Sequence, residues 1–578
     1  MIKVNKITQN IFFWHAIFIM ALVIFTVGSW TRIKQPVPMD DLWSLESAAS
    51  IYAKGTSQPL SVLGITPYFF LHPYLYLYSL AGAFKILGVS EISARMVGII
   101  SGWLAIIIVF LITKSFAGGN KFERIRTAAL ICLFYALAPA TIQGASMLQL
   151  DITILVPALL LLVLSFAKYY QSQKITWAFA CSLALALSLW IRLSTPLLVV
   201  FLFTLYILIS RGALKIRLGS VLSLIGGFLF FLLSWYLHSR LTGVTFSKIF
   251  KYTLFAFQYR TQSLFSGIAV SAFKNTLPII LWIGPFSVSV IFMLALRKFK
   301  EIFKGSRIHL ADVFLFIGII IAVGYIFIGG AAFGFPKYQS PVIPLVYIGT
   351  AVSFSKYKNV FKNLRSGTIF SMVLIAFAIQ LLLIGDLLYF FRYILREYMA
   401  FMPPPWFGIF KEIGFRVGCA FVIYLILCAN YLRSSPKRGI MGLLILFAFG
   451  SNIAMSFMQC LAAYHTGYNY GEVGRAEAIE FIRNKIPAES TVVAPQEVTY
   501  YLNYQGPSYI PEGFWMDTEK IKRILEDKKT SAFVYSITTN MISELAAINS
   551  DTSIQHLLRS GYDNFRIGSY WIWVRKNR

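Results

Sequence analysis

Pro38-Met39-Asp40-Asp41-Leu42-Trp43 follows an apolar run that ends near Trp30, and Leu71-His72-Pro73-Tyr74-Leu75-Tyr76 comes about thirty residues later. The run from residue 11 to residue 31 is long enough to cross a bilayer, which takes roughly 20 apolar residues. It carries Lys3 and Lys6 on its N-terminal side and has no small-residue cleavage site, so it reads as a first membrane helix rather than a signal peptide. Two adjacent carboxylates just beyond it, then an aromatic, proline-marked stretch, place polar chemistry at the membrane surface.

The rest of the chain supports a membrane setting. Of its 578 residues 57% are hydrophobic and 13% charged, with a mean hydropathy of +0.69, more apolar side chain than a soluble fold of this size can cover. Further spans are expected at 92–114, 127–144, 151–168, 176–193, 195–210, 218–238, 275–297, 311–330, 338–355, 368–390, 416–432 and 438–461, about thirteen in all. The net charge of +28 comes from short basic clusters between these runs, among them Lys121, Arg124 and Arg126, Lys298 to Arg307, and Lys356 to Arg365. All fall on one side of the ladder, which fits topology signals and anionic lipid rather than nucleic acid. The N-terminus is then cytoplasmic and the C-terminus outside.

Three outer segments are long: 32–91, 239–274 and 391–415. In the first, residues 42–54 and 67–87 read as interfacial helices with Trp43, Tyr52, Tyr68, Tyr74, Tyr76 and Tyr78 as anchors. The second holds Arg260 among aromatics and has no acid. From residue 463 the composition shifts: more than half of the 24 acids lie there, with helical patterns at 476–485 and 518–526 and strands at 490–494, 532–535 and 570–574. This divides the chain into a membrane domain, 1–462, and a small soluble α/β domain, 463–578. Cys132, Cys181, Cys419, Cys428 and Cys460 are scattered in apolar segments and read as buried thiols.

Asp40 and Asp41 admit two readings. Asp41 can cap a helix starting at Leu42, which accounts for one aspartate but not both; a carboxylate at the interface can also serve as a general base or hold a divalent metal with its neighbour. Asp151, at the start of the fourth expected helix, suits the helix dipole by itself and a shared acidic site together with Asp40. Arg192, Lys337 and Tyr338 stand at outer helix ends, where basic residues do not serve topology; with Arg260 they suit a phosphate, or singly they snorkel to headgroups. His72 can hydrogen-bond a phosphate or sugar, or be a structural interfacial residue. No P-loop, dinucleotide turn, Gly-x-Ser-x-Gly elbow or His-Glu-x-x-His occurs.

One helix, an acidic pair, His72-Pro73 with its tyrosines, and Leu87-Gly88-Val89-Ser90-Glu91-Ile92-Ser93-Ala94-Arg95 together resemble the GT-C superfamily of membrane glycosyltransferases. The resemblance is to the family of protein O-mannosyltransferases and lipid A aminoarabinose transferases. Leu150-Asp151 and Pro336-Lys337-Tyr338 add to it, and residues 38–100 are its most specific part. It implies an all-α polytopic membrane domain with a small C-terminal extracytoplasmic α/β domain, lying in the plasma (inner) membrane. The implied activity is inverting transfer of a sugar from a polyprenyl-phosphate carrier to an extracytoplasmic lipid, glycan or protein acceptor. Asp40 then matches the base, with Asp41 beside it; Asp151 matches the second acid; His72, Arg192, Arg260, Lys337 and Tyr338 match substrate-binding positions. The family's Asp-Glu is here Asp40-Asp41, its Pro-Pro is Pro73-Tyr74, its Lys after the fifth helix is Arg192, and Leu71 replaces a metal-binding Glu. No cofactor is fixed, and a divalent metal remains open. The rival readings are a transporter or flippase for a lipid-linked saccharide and a non-catalytic, glycan-binding subunit.

Overall fold

A computed structural model gives the architecture. It describes residues 11–33, 39–55, 72–209, 214–242, 245–247, 249–251, 285–304, 310–328, 336–355, 373–379, 447–455, 474–487, 489–495, 510–512, 518–536, 548–568 and 570–576, with single or paired positions between them. The expected spans at 368–390, 416–432 and 438–461 lie largely outside these residues.

The membrane part is a stack of apolar helices: α1 (Ile11–Trp30), α2 (Met39–Lys54), α3 (Leu75–Leu87), α4 (Glu91–Phe116), α5 (Lys121–Ala136), α6 (Pro139–Ser146), α7 (Leu155–Ser172), α8 (Ile175–Ile191), α9 (Ser194–Ile209), α10 (Leu214–Thr242), α11 (Pro285–Phe303), α12 (Leu310–Ile328) and α13 (Ile343–Ser355). Among the described residues four helices are long and apolar enough to cross a membrane, or five with the α5–α6 pair counted as one, so the chain is a multi-pass membrane protein. Helix α7 packs on α8, α8 on α10, α4 and α1 on α5, and α12 on α13. Gly98 makes a further crossing: a Cβ there would lie 2.2 Å from the Ala145 carbonyl oxygen, so only glycine lets α4 close onto α6.

Three expectations are corrected. The run at 127–144 is not one helix but α5 and α6, bent by 60° at a break. Pro139 opens the second piece, where its missing N–H costs nothing, and it cannot continue the first. Helix α7 begins at Leu155, leaving Asp151 in the turns that precede it. Helix α2 begins at Met39, so Asp40 and Asp41 lie in its first turn rather than ahead of a helix starting at Leu42. A fourth concerns anchors: Tyr74 and Tyr76 are buried in the helix core, whereas Tyr52 and Tyr78 are exposed. Tyr74, just before α3, packs against α10, its ring 6.3 Å from Trp235 and 5.3 Å from His238. Cys132 and Cys181 are buried free thiols.

At the other end of the bundle, Lys298 is buried and bonds Asp312 across α11 and α12 at 3.2 Å, with Glu301 at 3.0 Å. A residue that reads as a topology signal is thus also an interhelical tie.

The C-terminal unit is a sheet covered on both faces. It comprises α14 (Arg475–Lys485), β1 (Thr491–Val493), β2 (Ile510–Glu512), α15 (Thr518–Glu526), β3 (Thr530–Ser536), α16 (Thr552–Gly561), β4 (Tyr562–Ile567) and β5 (Tyr570–Arg575). Strand order is β2-β1-β3-β5-β4, the first three parallel and β3, β5 and β4 antiparallel in turn. Alternate residues face opposite ways. Ala532, Val534, Tyr570 and Ile572 meet Ile479 and Ile482 of α14, while Phe533, Tyr535 and Trp573 meet Ile521, Leu525, Ile554 and Leu558 of α15 and α16.

Candidate active site

The turns after α6 hold Asp151 through backbone bonds from Ile152 and Thr153 to the Gln149 carbonyl (3.3 and 3.1 Å), reinforced by the Thr153 hydroxyl at 2.7 Å. Asp151 is 0% exposed. An unpaired charge in such burial is costly, so the carboxylate requires a partner. Its partner is Arg192, which stands just past the end of α8 and donates from Nη1 to Asp151 Oδ2. Arg192 is 8% exposed and donates from Nε to the Ser194 hydroxyl at 2.8 Å. It therefore does not snorkel to headgroups, the reading that its position alone favours; it turns inward and joins the α8–α9 corner to the α6–α7 corner.

The guanidinium also lies 4.6 Å from the centre of the Tyr338 ring. Tyr338 stacks at 5.6 Å on Tyr325 of α12, whose hydroxyl is 2.9 Å from Thr195 Oγ1. Lys337 is half-buried, its Nζ 5.5 Å from the same Tyr338 ring. The segment that presents Lys337 and Tyr338 turns tightly, because the Ser340 amide and hydroxyl both donate to the Pro336 carbonyl (3.0 and 2.8 Å). A cavity of about 20 Å³, room for one water, adjoins this segment and the Asp151 turn and is lined by Gly98, Thr141, Thr153 and Ser340.

Four of the expected site residues thus converge: Asp151, Arg192, Lys337 and Tyr338. Arg192 bonds the carboxylate and, like Lys337, lies against the Tyr338 ring, so the cluster gathers two cations and one carboxylate beside tyrosine and serine hydroxyls, the composition of a phosphate or carboxylate subsite. Asp151 Oδ1 and both polar atoms of the buried Gln339 amide have no hydrogen-bond partner among the described residues. Asp40 and Asp41 are placed by backbone, in the first turn of α2. His72 is half-buried, two residues before Tyr74 and the start of α3. Arg260 lies outside the described residues. No group of three or more His, Cys, Asp or Glu gathers among the described residues.

Sequence reasoning missed Tyr325, Gln339 and the use made of Arg95. Arg95, 2% exposed in α4, donates from Nε to the Ser146 carbonyl at 3.0 Å and from Nη1 to the Ile33 carbonyl at 2.5 Å. It ties the turn after α1 to the end of α6. The signal was available as an arginine inside a long apolar run, a placement that demands a partner.

Residues 71–235 match the family described as dolichyl-phosphate-mannose-protein mannosyltransferase. No curated protein matches the chain. Among solved structures, the chain is similar to ArnT from Cupriavidus metallidurans bound to undecaprenyl phosphate, at 16% identity and a TM-score of 0.62, with 97% of each chain covered. It is also similar to ArnT from the same organism in the apo state, at 17% identity and a TM-score of 0.58, again over 97% of each chain. These likenesses show a shared fold along the whole length, the GT-C fold.

Proposed function

We propose that this GT-C-fold membrane protein is an inverting glycosyltransferase that takes a sugar from a polyprenyl-phosphate carrier. The observation that carries the reading is that Arg192 and Lys337 meet at the Tyr338 ring while Arg192 bonds Asp151, four residues from three separate corners of the bundle. A polyprenyl phosphate leaves with its negative charge already on it, so the protein's task is to hold that charge and to activate a nucleophile. Lys337 and Arg192 hold the phosphate, and Arg260 joins them from the 239–274 segment. Asp151 fixes the Arg192 fork in place, since an arginine locked by a carboxylate loses less freedom on binding. Asp40 takes the proton of the acceptor hydroxyl, with Asp41 beside it in the same helical turn and His72 contacting the sugar or phosphate.

The match to a mannosyltransferase family and the fold shared with an undecaprenyl-phosphate-binding protein support a lipid-linked donor. The acceptor is a lipid, glycan or protein on the outer face of the plasma membrane. In this reading the N-terminus is cytoplasmic, and the chain divides into a catalytic membrane domain, 1–462, and an extracytoplasmic domain, 463–578, that meets the acceptor. The transporter reading places ionisable groups midway along spans and repeats one half of the chain in the other; here the carboxylates and cations gather at helix ends.

The test is sugar transfer by the full chain in proteoliposomes supplied with labelled polyprenyl-phosphate sugars. Wild type is expected to release label from the carrier, and Asp40→Asn to lower kcat by about 10²–10⁴-fold, the range of general-base catalysis, at unchanged thermal stability. Full activity in Asp40→Asn moves the base elsewhere. Carrier that crosses the bilayer with its sugar still attached restores the flippase reading.

A further inference from the structure

Among the described residues the C-terminal unit is tied to the membrane domain at Tyr501, which is itself clamped. Tyr501 is held from its own side by Arg483, which donates from Nη2 to the Tyr501 carbonyl at 2.6 Å, and by Arg475, whose guanidinium lies 4.4 Å from the centre of its ring. Its hydroxyl donates to Glu91 Oε1, in the first turn of α4. Burial pushes the Tyr501 hydroxyl pKa up, so it stays protonated and able to donate. Glu91 Oε2 in turn sits 3.7 Å from Arg95 Nη1, one helical turn on, and Arg95 holds the Ile33 and Ser146 carbonyls. Each of the four links from Tyr501 to the Ile33 and Ser146 carbonyls is a hydrogen bond or close charge pair that involves a charged group, the strong kind.

We infer that Tyr501, acting through Glu91 and Arg95, positions the two chain segments that carry Asp40 and Asp151, so that seating of the C-terminal domain sets the geometry of the active site. This rests on the transferase reading for its functional meaning, but the mechanical coupling stands apart from it. Ile33 closes the turn after α1 and precedes Asp40 by seven positions; Ser146 ends α6 and precedes Asp151 by five. Arg95 holds the starting point of each of these two stretches. Tyr501, Glu91 and Arg95 are positioning residues and touch no reacting atom. An acceptor that displaces the C-terminal domain then changes the turnover rate without touching the donor subsite.

Two variants of the full chain in nanodiscs test this: Tyr501→Phe, which removes one oxygen, Glu91→Gln, which keeps the shape, and the two combined. Amide hydrogen exchange is read at peptides covering residues 27–33 and 144–154, alongside kcat and donor KM. Each single variant is expected to speed exchange at both peptides about tenfold and to lower kcat about fivefold at unchanged KM and unchanged thermal midpoint. The double variant is expected to add nothing further, because both act on one linkage. Unchanged exchange in Tyr501→Phe, or fully additive effects in the double variant, overturns the coupling whatever the activity. If exchange responds as expected while wild type transfers sugar from no donor, the coupling holds and the transferase reading fails. If transfer is normal and exchange does not respond, the transferase reading holds and the coupling fails.

Discussion

Arg95 and Arg192 are both buried at the same end of the helix bundle, yet they are satisfied in opposite ways. Arg95 gives its donors chiefly to two backbone carbonyls, with Glu91 at 3.7 Å. Arg192 gives Nη1 to a carboxylate, Nε to a serine and its face to the Tyr338 ring. Carbonyls belong to fixed chain, so an arginine that holds them fixes architecture. Side chains can be re-paired by an incoming anion, so an arginine held by side chains is available for chemistry. The number of bonds does not separate the two roles; the identity of the acceptors does.

The largest effect expected follows from breaking the second arrangement. Arg192→Ala strands Asp151 as a fully buried, unpaired carboxylate, which costs about 3–5 kcal/mol. Its Tm in detergent should fall accordingly and transfer should drop below about 1% of wild type. Arg192→Leu/Asp151→Leu, which removes both charges, should recover most of the Tm and none of the transfer; failure to recover Tm would mean that the pair is not what holds this corner.

A smaller and sharper contrast comes from lysine at each site. Lysine keeps the charge but not the fork. Arg95→Lys can serve only one of the two carbonyls well and should lose about 1–3 kcal/mol of stability, with donor KM held. Arg192→Lys should stay close to wild type in Tm while donor KM rises about tenfold. If the two variants exchange these phenotypes, the division between architecture and chemistry drawn from their acceptors is wrong.

The smallest effect lies in the C-terminal unit, away from both arginines. Asp551 caps α16, and hydrogen bonds from the Ser553 hydroxyl and the Ile554 amide, helped by Lys522, hold its pKa down at about 2. A carboxylate held below its ordinary value of 3.8 contributes stability that is present above that value and is lost as pH falls toward about 2. Asp551→Ala should therefore lower the stability of this unit at neutral pH and flatten its loss between pH 4 and pH 2, read by tryptophan fluorescence. An equal acid loss in the variant would place the titrating group elsewhere.

Much of the fold was legible from the chain, and its limits were physical. Apolar runs gave most described spans to within a few residues, because burial in lipid constrains composition directly. The helices and strands at 475–485, 491–493, 518–526, 530–536 and 570–575 also stood out. Strand β4 did not, since Asp563, Asn564 and Arg566 give it an exposed, polar look at the sheet edge. Strand β2 is three residues with Pro511 in the middle, tolerable at an edge and invisible as a pattern. For the site, charge in the wrong place drew notice to Arg192 and Lys337, but Asp151 lies 41 residues from Arg192 and no local rule joins them. The Arg95 knot was harder still, because its acceptors are carbonyls that every residue possesses.

The bond from Tyr501 to Glu91 spans 410 residues, and that separation imposes an order of events during synthesis. At about 5–20 residues per second, roughly 20–80 s pass between the emergence of Glu91 and that of its partner. The early helices are inserted and packed before Tyr501, the partner of Glu91, exists. The half-built protein spends that interval without this fastening, and synthesis of the Tyr501 segment is the event that brings the corner to its final shape.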